Sequence, residues 1–298
     1  MANYPLSEIM VSRTATKQPD LVYDVGMHRG EDTELYLRKG FSVIAFEANP
    51  DLIANCKERF AGEIATGQLT IVEGAIIDGA SAKTVTFYVN DVATIWGTVN
   101  ESWADRNERM GWSSKKIEVP VVDFAACLEQ YGMPHYLKID IEGADHVCLD
   151  KLREFDIHPD YLSIESDKLS MKAIEDELQL LGELGYHGFK AVQQGTVAQQ
   201  KIPDPPLEGT QVVTKIQPDS SGLFGRETPG KWEDHAAIVS RYRRIMLGYR
   251  WFGNDSFMRS NRFARQIWRL MQRISGRPIP GWYDTHAKHS SITTPCRT

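Results

Sequence analysis

The chain has few cysteines and no long apolar run. Four cysteines occur in 298 residues and none forms a C-x-x-C pair, which argues against a zinc site or a disulfide framework. No segment approaches the roughly 18 apolar residues that span a bilayer. Residues 1–20 lack the basic start and apolar centre of a secretory signal. The sequence therefore predicts a globular, cytoplasmic protein.

The G-x-G-x-x-G spacing of dinucleotide-binding turns is also missing at the first predicted turn. Residues 21–25 form an apolar run that leads into D-x-G-x-x-x-G, with Gly26 and Gly30 in the turn, and residues 42–46 form a second run that ends at Glu47. A strand, a glycine turn, a helix and a strand that ends in a carboxylate make a nucleotide-binding half-unit. The spacing disfavours NAD and favours S-adenosylmethionine, which has no pyrophosphate to seat.

Charge is distributed unevenly along the chain, although the net charge is only −6. Residues 1–225 carry 20 Lys and Arg against 35 Asp and Glu, whereas residues 226–298 carry 14 against 5. This basic end, rich in Arg and Trp, predicts contact with an anionic partner or with the acidic body of the same chain. Three roles stay open: peripheral membrane or lipid-linked glycan contact, nucleic-acid binding, and a lid or homo-oligomer segment.

The predicted elements alternate in the manner of an α/β protein. Strands are predicted over residues 21–25, 42–46, 69–72, 75–77, 84–89, 117–121, 136–139, 161–164, 187–192 and 211–216. Helices are predicted over residues 31–39, 50–60, 122–130, 144–155, 170–184, 232–247 and 255–274. This alternation predicts an open, mostly parallel central sheet flanked by helices. The body is assigned to residues 1–216, and residues 217–298 to a basic, partly helical C-terminal extension.

Three motifs occur in a familiar order: D-V-G-M-H-R-G at residues 24–30, F-E-A-N-P at residues 46–50 and L-K-I-D-I-E-G at residues 137–143. Together they resemble the FkbM-type methyltransferase family, over about residues 21–164. The resemblance implies a Rossmann-like class I methyltransferase fold, S-adenosylmethionine as donor, and O-methylation, often of sugars. The chain departs from the family at Met27 and His28, where a small residue and Asn are usual.

The first two strand ends and the resemblance together predict a donor site. Asp24 and Gly26 are placed beside the methionine part of the donor, where Asp24 accepts a hydrogen bond from the amino group, directly or through water. Glu47 is placed at the ribose hydroxyls. The full set of predicted cofactor-binding residues is Asp24, Gly26, His28, Gly30, Glu47, Ala48, Ala75 and Asp140.

Asp140 and Glu142 follow the strand predicted over residues 136–139, at the edge of the sheet where ligands bind. Two carboxylates two residues apart on an extended segment point the same way, which suits a general base or a divalent metal. Helix capping is the alternative for Glu142. His286, predicted to lie in a loop beside aromatic residues, is the third catalytic candidate, as a base or an acceptor clamp. Glu165 is a further carboxylate on the rim.

The sequence thus predicts an S-adenosylmethionine-dependent O-methyltransferase that acts on a hydroxyl of a saccharide or related metabolite. The alternative is a non-catalytic binding module of nucleotide-binding fold whose basic tail holds an anionic partner. The N/D-P-P-Y signature of adenine methylation is absent at Asp140, which disfavours a nucleic-acid substrate. For the extension, the lid or homo-oligomer role is preferred, with membrane contact second.

Overall fold

The computed structural model describes residues 12–78, 82–90, 98–99, 114–141, 144–166, 170–252 and 281–292. The strands in these ranges are β1 (Lys17–Val25), β2 (Ser42–Glu47), β3 (Leu69–Glu73), β4 (Ala75–Ile76), β5 (Thr84–Asn90), β6 (Ser114–Val122), β7 (Met133–Ile139), β8 (Tyr161–Glu165), β9 (Tyr186–Gln193) and β10 (Tyr283–His289). The α-helices are α1 (Glu31–Arg38), α2 (Pro50–Arg59), α3 (Ala61–Ala65), α4 (Phe124–Tyr131), α5 (Asp145–Leu152), α6 (Met171–Glu183) and α7 (His235–Phe252).

Seven strands form one central sheet in the order β3-β2-β1-β7-β8-β10-β9. The pairs β3–β2, β2–β1, β1–β7 and β7–β8 are parallel, and β10 is antiparallel to both of its neighbours. The prediction of an open, mostly parallel sheet is therefore confirmed. Strands β4, β5 and β6 form a separate small sheet.

Strand β1 is apolar at consecutive positions because both faces of the sheet are covered. Leu21, Tyr23 and Val25 belong to one buried cluster, with residues of α4, α5 and α6, whereas Val22 belongs to a second cluster with residues of α1 and α2. Successive side chains of a strand point to opposite faces, so the two clusters lie on opposite sides of the sheet. This double covering fixes the strand ends at which the cavity described below opens.

The helix starts follow local signals. Pro50 occupies the first turn of α2 and the side chain of Asn49 caps it, while Ser170 caps α6. Acidic residues fill the first turn of α1, where the helix dipole favours them. None of the helices within the described ranges has both the length and the apolar character of a membrane span.

The structure corrects three predictions near the C-terminus. Residues 211–216 do not form the predicted strand. Residues 283–289, predicted to be an irregular end, form β10 and lie between β8 and β9, so the division at residue 216 does not separate them from the central sheet. The segment was missed because its sequence, YDTHAKH, is polar, although Asp284, Thr285 and His286 are all buried there. The helix predicted over residues 255–274 lies outside the described residues.

A partly buried histidine, His135, ties residues 201–230 to the edge of the sheet opposite the cavity. His135 Nδ1 lies 2.7 Å from Asp160 Oδ2, and its Nε2 lies 2.9 Å from Glu208 Oε2. Burial alone lowers the pKa of His135, but hydrogen bonds to Asp160 and Glu208, with their charges, outweigh burial and raise the pKa to about 9. The folded state therefore holds this proton more tightly than the unfolded chain does.

This histidine makes stability depend on pH in a definite direction. Its contribution is complete below the unfolded pKa of about 6.5 and is lost as the pH rises through about 9. The free energy of unfolding should fall over this window by up to about 3 kcal/mol more in the wild type than in His135→Gln. Urea unfolding at a series of pH values measures the difference. The exposed His187→Gln variant should keep the wild-type slope, and an equal slope in His135→Gln would remove His135 from this role.

Candidate active site

A cavity of about 460 Å³ opens at the carboxyl ends of the central strands, within the usual range of roughly 300–1,000 Å³ for small-molecule sites. The strand order reverses between β1 and β7, and ligands of open α/β sheets bind at such a switch point. Of the predicted site residues, the cavity is lined by Gly26, His28, Glu47, Ala48, Ala75 and Asp140. It also takes in residues 218–221, Trp282 and Asp284.

Gly26 makes the turn after β1 possible. Its φ is +90°, and a Cβ atom there would lie 1.9 Å from the backbone oxygen of Asp140. The backbone N–H groups of Gly26 and Met27 both donate to Phe46 O, at 3.1 and 2.9 Å. Only glycine fits between the ends of β1 and β7, and its lack of a side chain leaves the backbone open to the cavity.

Glu47 is held in place by three backbone donors. Its Oε2 accepts from the N–H of His28 at 2.9 Å, and its Oε1 accepts from those of Ala48 and Asn49 at 2.9 and 2.8 Å. Burial raises the pKa of Glu47, although these N–H bonds oppose the rise. A carboxylate oxygen accepts about two hydrogen bonds, so Oε2 keeps a lone pair for a ligand hydroxyl.

Asp24 does not line the cavity; it lies beneath the turn, fully buried. Its Oδ1 is 3.0 Å from Lys138 Nζ, and its Oδ2 accepts from Thr33 Oγ1 at 2.6 Å. Lys138 also donates to Gly26 O at 3.0 Å. Both oxygens of Asp24 thus have partners inside the protein, and its predicted hydrogen bond to the donor amino group, directly or through water, stays a prediction. Asp24 fixes Lys138 under the glycine turn.

Asp32, one of the acidic residues in the first turn of α1, connects the site to the predicted extension. Both of its carboxylate oxygens accept from Ser221 N at 3.0 Å, and Oδ2 lies 3.4 Å from Lys138 Nζ. Burial raises the pKa of Asp32 to about 6, against the charge of Lys138. These contacts hold residues 218–221 against the cavity.

Three neighbouring strands each present a carboxylate on the other side of the cavity: Asp140 after β7, Glu165 at the end of β8 and Asp284 near the start of β10. Asp140 is half exposed and lies 3.9 Å from Lys138 Nζ. Asp284 is 8% exposed. Burial, with the charges of Asp140 and Glu165, raises its pKa well above the usual value. Asp284 was not predicted as a site residue, because no sequence motif surrounds it.

Two further candidates are placed away from the cavity. His286 lies in β10 rather than in a loop, is 1% exposed and does not line the cavity. Burial, with the charge of Lys190, lowers its pKa to about 3, so the structure does not support it as a catalytic base or clamp. Gly30 has φ +82° at the start of α1, and a Cβ there would lie 2.4 Å from the Phe60 ring. Gly30 therefore allows close packing against Phe60 and forms the turn before α1. Glu142 lies outside the described residues.

The divalent metal raised by the sequence analysis is not supported. Across the part of the chain that the structure describes, no group of three or more His, Cys, Asp or Glu side chains is arranged to hold a metal ion. Lys138 already lies beside Asp140.

The strand order, the cavity at the switch point, the glycine turn after β1 and the carboxylate at the end of β2 define a Rossmann-like nucleotide-binding fold. The methyltransferase FkbM domain matches residues 24–188, more than half of the chain. The chain belongs to the FkbM methyltransferase family, and it is an S-adenosylmethionine-dependent enzyme.

Solved methyltransferases show distant similarity. A precorrin-6y C5,15-methyltransferase from Geobacter metallireducens is 12% identical, with 62% of this chain and 72% of that chain covered and a TM-score of 0.33. An S-adenosylmethionine-dependent methyltransferase from Archaeoglobus fulgidus is 13% identical, with 91% and 86% covered and a TM-score of 0.35. One from Geobacter sulfurreducens, in complex with S-adenosylhomocysteine, is 12% identical, with 92% and 86% covered and a TM-score of 0.33. No curated protein sequence matches the chain.

Proposed function

We propose that the chain transfers the methyl group of S-adenosylmethionine to a hydroxyl oxygen of a saccharide or a related metabolite. The observation that carries this proposal is the division of the cavity into two sides. One side, at the ends of β1 and β2, holds Gly26 and Glu47, and the other, at β7, β8 and β10, holds the carboxylates Asp140, Glu165 and Asp284. A hydroxyl acceptor must lose its proton during transfer, and a carboxylate beside it provides the base.

The first side fits the donor. The backbone at Gly26 is open because a Cβ cannot be placed there, and Glu47 Oε2 has acceptor capacity for a ribose hydroxyl. Ala48, Ala75 and Phe87 form an apolar patch that lines the same cavity and suits the adenine ring. When bound, S-adenosylmethionine supplies an activated methyl group on a sulfonium. The residues of the chain bind, orient and exclude water.

The extension completes the cavity in this proposal. Residues 218–221 line it through the bond of Ser221 N to Asp32, and Trp282 stands at its rim. We therefore assign the extension a role in covering the donor and contacting the acceptor. The anionic partner, the membrane contact and the homo-oligomer remain predictions from the charge distribution.

Transfer of a labelled methyl group tests the proposal. The protein is incubated with S-adenosylmethionine that carries a carbon-13 methyl group and with a panel of methyl glycosides and glycosylated natural products. A new O-methyl carbon signal in the NMR spectrum of the acceptor is expected. Methylation of nitrogen or carbon instead would contradict O-transfer. Binding of S-adenosylhomocysteine without any transfer would favour the non-catalytic binding module.

A further inference from the structure

We propose that Asp284, with Glu165 beside it and Trp282 at the rim, forms the acceptor subsite. This subsite takes an uncharged, hydroxyl-rich acceptor, and Asp284 accepts the proton of the reacting hydroxyl. The inference rests on the proposed function and deepens it, because it names the residue that acts as base and the charge class of the substrate. Asp284 and Trp282 lie outside the family match, which ends at residue 188.

The register of the central sheet places two carboxylates side by side. Asp284 of β10 is the cross-strand partner of Glu165 in β8, and its partner on the other side is Val192 of β9. Because β10 is antiparallel to β8, its first residues lie at the edge where β8 ends. Like charges directly opposite each other in a sheet are mildly destabilising, and both carboxylates of this pair line the cavity.

Asp284 is the carboxylate of this wall that lacks a partner. It is more than nine-tenths buried, yet within the described ranges no hydrogen bond or ion pair reaches its side chain. Buried polar groups are almost always paired. By contrast, Asp24, Asp32 and Glu47 are all engaged by protein donors. The free carboxyl that faces the cavity is therefore the one available to a ligand hydroxyl.

The charges around Asp284 set the class of acceptor. The titratable groups that influence it, or that it influences, are Asp140 and Lys138 of the β7 end, Glu165 of β8, Asp32 of α1, Tyr136 of β7 and Tyr242 of α7. Among the described lining residues, seven carboxylates face one lysine, Lys138, which already serves Asp24 and Asp32. A phosphate or carboxylate on the acceptor would be repelled there.

Trp282 supplies the apolar part of the subsite. It lies two residues before Asp284 in the chain, lines the cavity and is 43% exposed. A large exposed aromatic side chain at a cavity rim is a typical ligand contact. Its ring offers a flat surface for the C–H face of a sugar, while the two carboxylates accept hydrogen bonds from the hydroxyls.

The same surroundings make Asp284 a stronger base than an ordinary aspartate. Burial and the charges of Asp140 and Glu165 hold its pKa high, and a sulfonium in the cavity favours its ionised form. In the transfer step the acceptor O–H bond breaks and the proton moves to the Asp284 carboxylate. The acceptor oxygen forms its bond to the methyl carbon as the carbon–sulfur bond breaks, and that electron pair stays on sulfur.

Kinetics of Asp284→Asn test the base. We expect kcat to fall about 100-fold or more, S-adenosylhomocysteine affinity to change less than about threefold, and the acid limb of the pH–rate profile to disappear. Asp284→Glu should recover part of the rate. Asp176→Asn, which removes an exposed carboxylate of α6, is the matched control and should behave as the wild type. Wild-type kcat and pH profile in Asp284→Asn would overturn the inference while leaving the proposed function standing.

A second measurement does not depend on turnover. Infrared difference spectra between the wild type and Asp284→Asn, recorded against pH without acceptor, report the protonation of this one carboxyl. The carboxyl should titrate well above the range of an exposed aspartate, and its pKa should be lower in the complex with S-adenosylmethionine than with S-adenosylhomocysteine, which lacks the sulfonium charge. Equal titration in the two complexes would overturn the inference.

Probes of matched shape test the charge class. With S-adenosylhomocysteine bound, methyl glucopyranoside is expected to bind more tightly than methyl glucuronide or glucose 6-phosphate, as measured by calorimetry, and Trp282→Ala is expected to weaken its binding. Tighter binding of either anionic probe, or no binding by the neutral glycoside, would contradict the assignment. Absence of methyl transfer by the wild type to any acceptor would instead count against the proposed function.

Discussion

Glu47→Ala is expected to weaken the binding of S-adenosylhomocysteine by about 10- to 100-fold. Hydrogen bonds to a charged group contribute about 1.5–3 kcal/mol, and this carboxylate is already oriented by the backbone N–H groups of His28, Ala48 and Asn49. A ligand hydroxyl therefore binds a carboxylate that is already oriented, so binding loses little side-chain conformational entropy. Titration calorimetry measures the dissociation constant directly.

Two variants separate the loss of the ligand bond from damage to the turn. Glu47→Gln keeps an oxygen for the backbone donors but loses the charge, and it should bind the ligand with intermediate affinity. Glu73→Ala removes the cross-strand partner of Glu47, an exposed carboxylate that pairs with Lys57 and does not line the cavity. Its affinity should equal that of the wild type. Unchanged affinity in Glu47→Ala would remove this residue from the donor site.

Gly26→Ala is expected to destabilise the protein by about 2–6 kcal/mol and to abolish donor binding. Left-handed backbone at a non-glycine residue costs about 1–3 kcal/mol, and forced overpacking adds about 1–3 kcal/mol. Here the added carbon would approach Asp140 O to 1.9 Å, so β1 and β7 must move apart at the switch point. Urea unfolding and ligand titration together measure both effects.

The control for this substitution is Gly182→Ala. Gly182 lies in α6, and a Cβ there meets nothing within 4 Å. Alanine is the better helix residue, so this variant should be more stable by up to about 1 kcal/mol and should bind the donor normally. A Gly26→Ala protein as stable as the wild type would show that the ends of β1 and β7 are less tightly packed than the structure has them.

The first half of the fold could be predicted because its signals are local. The run of residues 21–25, the turn at Gly26, the acidic start of α1 and the strand that ends at Glu47 lie within 30 residues of one another. Each depends on a property of the segment itself: apolar continuity, conformational freedom or helix capping. The motifs of the FkbM family fall in the same region and at β7. The family and the cofactor could therefore be predicted from the sequence.

The acceptor side could not be predicted because its signals are distant in sequence. Asp284 and Glu165 are more than a hundred residues apart, and only the insertion of β10 between β8 and β9 brings them together. Most residues of β10 are polar, so the segment lacks the alternation of apolar and polar residues from which a strand is predicted. His286 was predicted as a catalytic residue because it lies near aromatic residues in the sequence. The same strand, β10, buries its side chain inside the sheet.

Asp24 shows a different limit. Its position near the end of β1 was predicted correctly, but the sequence does not reveal that Lys138 and Thr33 contact its two oxygens. The two partners come from β7 and α1, and their approach depends on the packing of three elements. The sequence therefore predicted the position of the carboxylate but not the partners that hold it in place.

In the proposed reaction, one cavity joins a donor side at Glu47 to an acceptor side at Asp140, Glu165 and Asp284. A crystal structure of the complex with S-adenosylhomocysteine would test this arrangement. We expect the ribose hydroxyls at Glu47 and a ligand sulfur that faces the three carboxylates. A ligand bound outside this cavity, or one whose sulfur points away from Asp140 and Asp284, would contradict it.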